Sequence, residues 1–272
     1  EATTDAEAVP GADSIDTVVI ATRHDSHAKY AVPALQAGKH VFVEKPLAID
    51  RAQLELVESA YNGAVSDGAA PVLMVGFNRR FSPLIVKSKQ LIEARSEPKS
   101  FIMTVNAGAI PADHWTQDPV QGGGRIIGEA CHFIDLLRFL ADAPITRVRG
   151  VQMGAAPGVT IRDDKATILL EFEDGSFGTV HYLANGDKSF PKERLEVFCG
   201  GSILQMDNFR SLRGFGWPGF KKMKLSRQDK GNAACAAAFI KAIQAGEPSP
   251  IPADELFEVS AATFDAADSL LD

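Results

Sequence analysis

The chain has 272 residues, 45% of them hydrophobic and 23% charged, which supplies enough apolar material for two cored domains and excludes a disordered chain. A formal net charge of −7 with no basic stripe excludes nucleic acid as the main partner, because phosphate binding needs clustered Lys and Arg. Cys131, Cys199 and Cys235 are odd in number and far apart, so they fit neither a disulfide framework nor a CxxC zinc pattern, and no apolar run reaches the ~18 residues of a membrane span.

In chain order, Glu1 to Asp16 is acidic and Ala-rich with no signal-peptide layout, so the expected location is cytoplasmic, with no membrane partner and no metal. Thr17-Val18-Val19-Ile20-Ala21 is a continuous β-branched run, the pattern of a strand covered on both faces. Asp25 and Ser26 are suited to cap a helix over 27–37, which Gly38 closes. A second buried strand follows at His40-Val41-Phe42-Val43. Asp50 then caps an amphipathic helix running to about Ala60, with Leu54, Leu56 and Val57 on its apolar side. Pro71 to Val75 reads as a third strand and Leu84 to Ala94 as a helix. Alternating strands and helices imply a parallel, doubly wound, Rossmann-like sheet.

Beyond about residue 98 the pattern changes to strands at 101–105, 146–152, 166–172, 177–183, 195–199 and 203–206, interrupted by one long helix near 125–140. Glu173-Asp174-Gly175 and Gly200-Gly201 are turn signals between neighbours, so an open, mainly antiparallel sheet is expected. Helices over 233–245 and 253–271 end the chain. The division is an incomplete dinucleotide-binding domain over 1–80 and an α+β substrate and oligomerisation domain over 81–272. Lys221-Lys222-Met223-Lys224 is the densest basic run and reads as a solvated strand edge.

Ligands of doubly wound sheets bind beyond the carboxyl ends of the strands. Those ends carry Thr22-Arg23-His24-Asp25-Ser26-His27, then Glu44-Lys45-Pro46, then Gly76-Phe77-Asn78-Arg79-Arg80-Phe81. A Lys flush with the end of a buried strand stands at a cleft rim, and three polar clusters at equivalent strand ends are hard to explain by folding alone. A second constellation runs from Gly122-Gly123-Gly124 into a helix bearing Arg125, Glu129, His132 and Asp135. At 3.6 residues per turn Arg125 and His132 share a face, with Glu129 and Asp135 one turn either side of the imidazole. An acid beside a His raises its basicity, which suits proton transfer.

Val-Ile-Ala-Thr with His27 five residues on, His-Val-Phe-Val-Glu-Lys-Pro, Gly-Phe-Asn-Arg-Arg-Phe and the glycine-entered His132 helix together resemble the Gfo/Idh/MocA oxidoreductase family over nearly the whole chain. The resemblance implies NAD or NADP as cofactor, a sugar-like substrate and a homodimer or homotetramer packed through the open sheet. It implies that Lys45 and His132 form the acid/base pair, with Glu129 or Asp135 tuning the His. Thr22, Arg23, His27, Glu44, Lys45, Pro46 and Asn78 would line the cofactor cleft, and Arg125 would face substrate. Many members carry Asp four residues before the His, where this chain has Gly128. The segments 112–115, 128–135 and 188–196 resemble a subgroup in which this unit follows a zinc-type alcohol-dehydrogenase-like half, which would make His114 and Trp115 substrate-wall residues.

A dinucleotide fold opens with a strand, a Gly-x-Gly-x-x-Gly turn and a helix. Nothing of that kind precedes Thr17, so the sheet is expected to be truncated, with an exposed edge and no pyrophosphate site. The only match, 214–219, lacks a buried strand before it and contains Pro218, which removes a donor that phosphates need; it reads as an irregular hairpin turn. The sequence therefore implies a hydride-transferring oxidoreductase. Its rivals are a non-catalytic sugar or nucleotide sensor on the same fold and an inactive piece of a larger bifunctional dehydrogenase.

Overall fold

The computed structural model describes residue 2 and residues 4–271. β1 (Thr17–Ile20), β2 (His40–Val43) and β3 (Leu73–Val75) form a parallel sheet in that order, with Val18 paired to Val41 and Phe42 to Met74. The β-branched runs explain the strands, and Val41, Val43, Leu73 and Val75 are wholly buried. β1 departs from expectation. Val18 and Ile20 point inward, whereas Val19 is 66% exposed, so this strand is covered on one face only.

The connecting helices are α1 (His27–Gln36) and α2 (Arg51–Ser66), which pack on each other. Gly38 closes the first with a φ of +69°, but Ser26 does not cap it. Its hydroxyl instead donates to Arg23 O and shares a hydrogen bond with the Thr22 hydroxyl. Asp50 does cap α2, accepting from Gln53 N at 2.8 Å. That helix outruns its expected end near Ala60, because Gly63 does not break it and the stop comes at Gly68, φ +87°. Leu54 and Val57 face the core as expected, but Leu56 is 59% exposed.

After α3 (Pro83–Ile92) come β4 (Ser100–Asn106), α4 (Cys131–Ala141), β5 (Ile145–Gln152), β6 (Lys165–Phe172), β7 (Phe177–Leu183), β8 (Glu193–Cys199), β9 (Ser202–Asp207), β10 (Ser211–Phe215) and β11 (Lys222–Lys224). They build an eight-stranded sheet in the order β11-β10-β9-β8-β4-β7-β6-β5, antiparallel throughout except for β4 beside β7. Strict alternation puts Phe101, Met103, Val105, Val180, Tyr182, Leu195 and Val197 on the face that α4 covers. The other face bears Phe177 and Phe198, 48% and 40% exposed.

β10 was not expected, whereas β11 is the strand edge that the basic run suggested. Gly214 and Phe215 still pair with β9, so the irregular turn between β10 and β11 begins at Gly216, and Lys222–Lys224 is the sheet edge. A Cβ at Gly214 would stand 2.6 Å from the Phe220 ring, so this glycine serves packing and not phosphate approach.

α5 (Asn232–Ala245) and α6 (Ala253–Asp268) return to the first sheet: Phe239 packs edge-on against Phe42, Phe257 against Tyr61, and Ser249 Oγ donates to Leu73 O. One continuous apolar core therefore joins both sheets. All three cysteines are free and buried, and no described helix is long and apolar enough to cross a membrane.

Candidate active site

Two arginines at the end of β3 clasp the layers together. Arg79 lies over the Phe133 ring and donates to both oxygens of Glu193, at 2.9 and 3.0 Å, while Lys230 bonds the same carboxylate at 2.6 Å. Arg80 forms a two-pronged pair with Asp135 and reaches Glu255 at 3.0 Å. These side chains are buried, and their carboxylate partners satisfy them.

The strand ends meet the second constellation at Lys45. Its Nζ donates to Gly128 O at 2.7 Å, across the gap between β2 and the helix. The Lys45–Pro46 peptide is cis. His27 is fully buried beneath it, with Nδ1 2.7 Å from Pro46 O and Nε2 3.1 Å from Thr22 O. Both of its ring nitrogens are thus taken by main chain, and it fixes the strand ends instead of facing the cleft as expected. Asn78 is similarly engaged, its amide nitrogen donating to Lys230 O and Asn232 Oδ1. Thr22 and Arg23 are exposed, and Arg23 bonds Gln121 and lies over Trp115. Glu44 is half-buried against Gly76, where an added Cβ would come within 2.9 Å of its carboxylate.

The glycine entry has steric causes. Gly123 and Gly124 have φ of +75° and +79°, and a Cβ at Gly122 would collide with the Thr116 backbone and meet Trp115 O at 2.6 Å. The helix then opens with a π turn, Ile126–Ala130, before α4. That extra residue rotates everything downstream by about 100°. The expected shared face of Arg125 and His132 is consequently not formed.

Arg125 spends its guanidinium on Tyr182 Oη (2.8 Å), Gly108 O (3.1 Å) and Glu129 (2.8 Å). Glu129 also accepts from Tyr182 Oη at 2.6 Å and Lys192 Nζ at 2.8 Å. Burial alone would raise its carboxyl, but the Lys192 charge and the donors from Lys192, Tyr182 and Arg125 bring it down to about 2. Burial lifts Asp135 to about 6 against the pull of Arg80, so the pair stays ionic at neutral pH. Neither carboxylate hydrogen-bonds His132, which corrects the expected acid–His pairing. The reasons are the π turn and the arginine partners.

His132 is 6% exposed, stands edge-on to Phe77, and its Nδ1 has no partner among the described residues. Burial first, then the charges of Arg79 and Lys45, hold its pKa well below the usual value, so the ring is neutral.

A cavity of about 350 Å³ lies in front of Lys45, lined by Ala107, Ile110, Thr116, Gly124, Gly128 and the polar side chains of His24, His114, Arg125, Glu129 and Lys192, with Trp115 as an aromatic wall. An adjoining recess of about 600 Å³ shares Ala107, Ile110 and Lys192 and adds Lys188 and Lys230. The structure thus gathers Lys45, Arg125, Glu129, His114 and Trp115 around one space, and sets His132 and Asp135 outside its lining. His24, Lys192 and Tyr182 escaped the sequence reading. The first two stood within segments already singled out; Tyr182 gave no signal, being one of many apolar positions in a strand.

The residues present fit the nicotinamide end of a dinucleotide: a lysine at the strand end, an acidic neighbour, and an unpartnered buried imidazole nitrogen beside them. Two family profiles match the chain. One, described as oxidoreductase family with NAD-binding Rossmann fold, covers residues 1–76, and the GFO/IDH/MocA C-terminal domain covers residues 89–203. Myo-inositol 2-dehydrogenase of Thermotoga maritima is 23% identical over 253 residues, covering 89% of this chain and 73% of that protein. Inositol 2-dehydrogenase of Rhizobium meliloti is 28% identical over 253 residues, covering 88% and 74%. Among solved structures, levoglucosan dehydrogenase in complex with NADH and levoglucosan superposes with a TM-score of 0.84 at 22% identity, over 99% of this chain and 81% of that one; this likeness shows the fold alone.

Proposed function

Because the chain belongs to the Gfo/Idh/MocA oxidoreductase family, we propose that it oxidises or reduces a hydroxyl or carbonyl of a sugar-like polyol with NAD or NADP. The observation that carries this reading is Lys45, fixed by Gly128 O at the mouth of a polar cavity with an indole wall. When bound, the nicotinamide supplies hydride acceptance or delivery at the substrate carbon.

The chain's own residues do the rest. The Lys45 ammonium stabilises the alkoxide that develops on the substrate oxygen. The family resemblance assigns the hydroxyl proton to His132, which is neutral and stands behind the cavity lining, so the role requires the substrate oxygen held at Lys45 to come within its reach. Glu129, held ionised, accepts hydrogen bonds from neighbouring hydroxyls, and Arg125 and Tyr182 hold it still. Trp115 supplies an apolar face for a ring, and His114 and Lys192 edge the same space. Thr22, Arg23 and Glu44 border the nicotinamide side. The names of the inositol and levoglucosan dehydrogenases among its relatives support a cyclic polyol.

The experiment is reduced-nicotinamide formation with myo-inositol, levoglucosan and nucleotide sugars, in the wild type, Lys45→Ala and His132→Ala. Losses of roughly 10²–10⁴-fold in kcat are expected in both variants. One observation favours a sensor instead: among the described residues no carboxylate pairs with His132. Tight NADH binding with no turnover on any substrate would support that reading. Two finer readings rest on sequence likeness. One is that this unit works joined to a zinc-type alcohol-dehydrogenase-like half. The other is that two or four copies assemble through the open sheet face bearing Phe177 and Phe198, which light scattering of Phe198→Glu would test.

A further inference from the structure

The end of β1 is stitched to the glycine entry of the helix by three bonds. Arg23 Nη1 donates to Gln121 Oε1 at 2.9 Å, Asp25 N to Gln121 O at 3.1 Å, and His24 Nδ1 to Gly122 O at 2.8 Å. The last bond fixes the His24 tautomer: a carbonyl only accepts, so Nδ1 carries the proton and Nε2 presents its lone pair. Trp115 packs against the ring at 4.7 Å and His27 stands 5.7 Å away on another side. Nε2 has no partner among the described residues, and His24 lines the cavity together with Lys45.

Gly128 is the fourth contact. A Cβ there would lie 2.8 Å from His24 Cε1, 3.2 Å from its Nδ1 and 3.3 Å from Gly122 O. A ring held by Gly122 and Trp115 cannot swing aside as a flexible chain end would. The absent side chain at position 128 is therefore the space in which this imidazole sits. Burial, with Lys45 nearby, also lowers the His24 pKa to about 4, which keeps the lone pair available at neutral pH.

Resting on the oxidoreductase reading above, we infer that His24 is a substrate-contacting residue, seated over Gly128 so that Nε2 accepts a hydrogen bond from a polyol hydroxyl adjacent to the one held at Lys45. Gly128 is the positioning residue that makes the seat. The preferred ligand carries vicinal hydroxyls, one for each group.

The test uses His24→Asn, which keeps a donor where Nδ1 stands but puts nothing where Nε2 stands, together with Gly128→Ala, His24→Ala and the combination of the last two. With myo-inositol or levoglucosan as probe, His24→Asn and Gly128→Ala should each lower kcat/KM for the polyol by roughly 10- to 100-fold and leave KM for NAD unchanged. Gly128→Ala should add nothing to His24→Ala, since the Cβ then has room. Wild-type-like polyol kinetics in His24→Asn, an additive double variant, or a rise in KM for NAD alone would overturn the inference. Polyol binding by calorimetry separates this from failure of the parent reading. Should the wild type bind the probe without turning it over, the oxidoreductase reading fails, and weakened binding in His24→Asn still establishes the contact; no binding of either polyol to the wild type overturns both.

Discussion

Glu129→Gln probes the most highly connected polar group of the cavity. Its carboxylate holds Arg125, Tyr182 and Lys192, and its pKa falls from 4.5 to about 2. At 1.36 kcal/mol per pKa unit this corresponds to about 3 kcal/mol of stabilisation at pH 7. The side chain is only 21% exposed, so solvent screening removes little of it. A depressed carboxyl contributes stability that is present above its unfolded value of 4.5 and lost as pH falls toward 2. The advantage of the wild type over the glutamine variant should thus shrink to about 2 kcal/mol at pH 3.5. Urea unfolding at several pH values measures it, provided the slopes of the two proteins agree. A difference below about 1 kcal/mol at pH 7, or one that does not change with pH, would refute the electrostatic account of this site.

Other groups give sharper contrasts. Asp135→Asn leaves the buried Arg80 with Glu255 as its remaining carboxylate and should cost about 1–3 kcal/mol in thermal or urea unfolding. It should leave the pH–rate profile for a polyol in place, since Asp135 does not touch His132; a displaced profile would restore Asp135 as its partner. Gly122→Ala drives a Cβ into the Thr116 backbone and should lower stability by more than the typical ~1 kcal/mol of a point substitution, read as a fall in melting temperature. His24, lowered from 6.5 to about 4, binds its proton in the unfolded chain first. It should therefore erode stability as pH falls from 6.5 to 4, by up to about 3 kcal/mol. His24→Asn should unfold with a shallower pH dependence over that window.

The sequence showed most of the local structure. The β-branched runs at Thr17 and His40, the Asp50 cap and the glycine stop at Gly38 are local signals, and each set an element where the structure has it. Features decided by distant residues were not legible in the sequence. β10 is short, carries Gly214, and exists because β9 offers an edge to pair with, as β10 in turn does for Lys222–Lys224. Arg125 and His132 share a face only at 3.6 residues per turn, and the π turn at Ile126–Ala130 rotates that face away. Asp135 went to Arg80 and Glu129 to Tyr182 and Lys192, pairings 53 to 63 residues apart that no spacing reveals. Gly128 looked like a loss of chemistry in the sequence. In the fold it is occupied space, filled by a histidine 104 positions earlier in the chain.

The most direct test of the central claim is isotope transfer. A polyol deuterated at its carbinol carbon is incubated with the wild type and NAD, and the reduced cofactor is examined by mass spectrometry. The account predicts deuterium on the nicotinamide ring with the wild type, and a yield at least about 100-fold lower with Lys45→Ala. Unlabelled cofactor with every polyol tried, or undiminished label with Lys45→Ala, would contradict it.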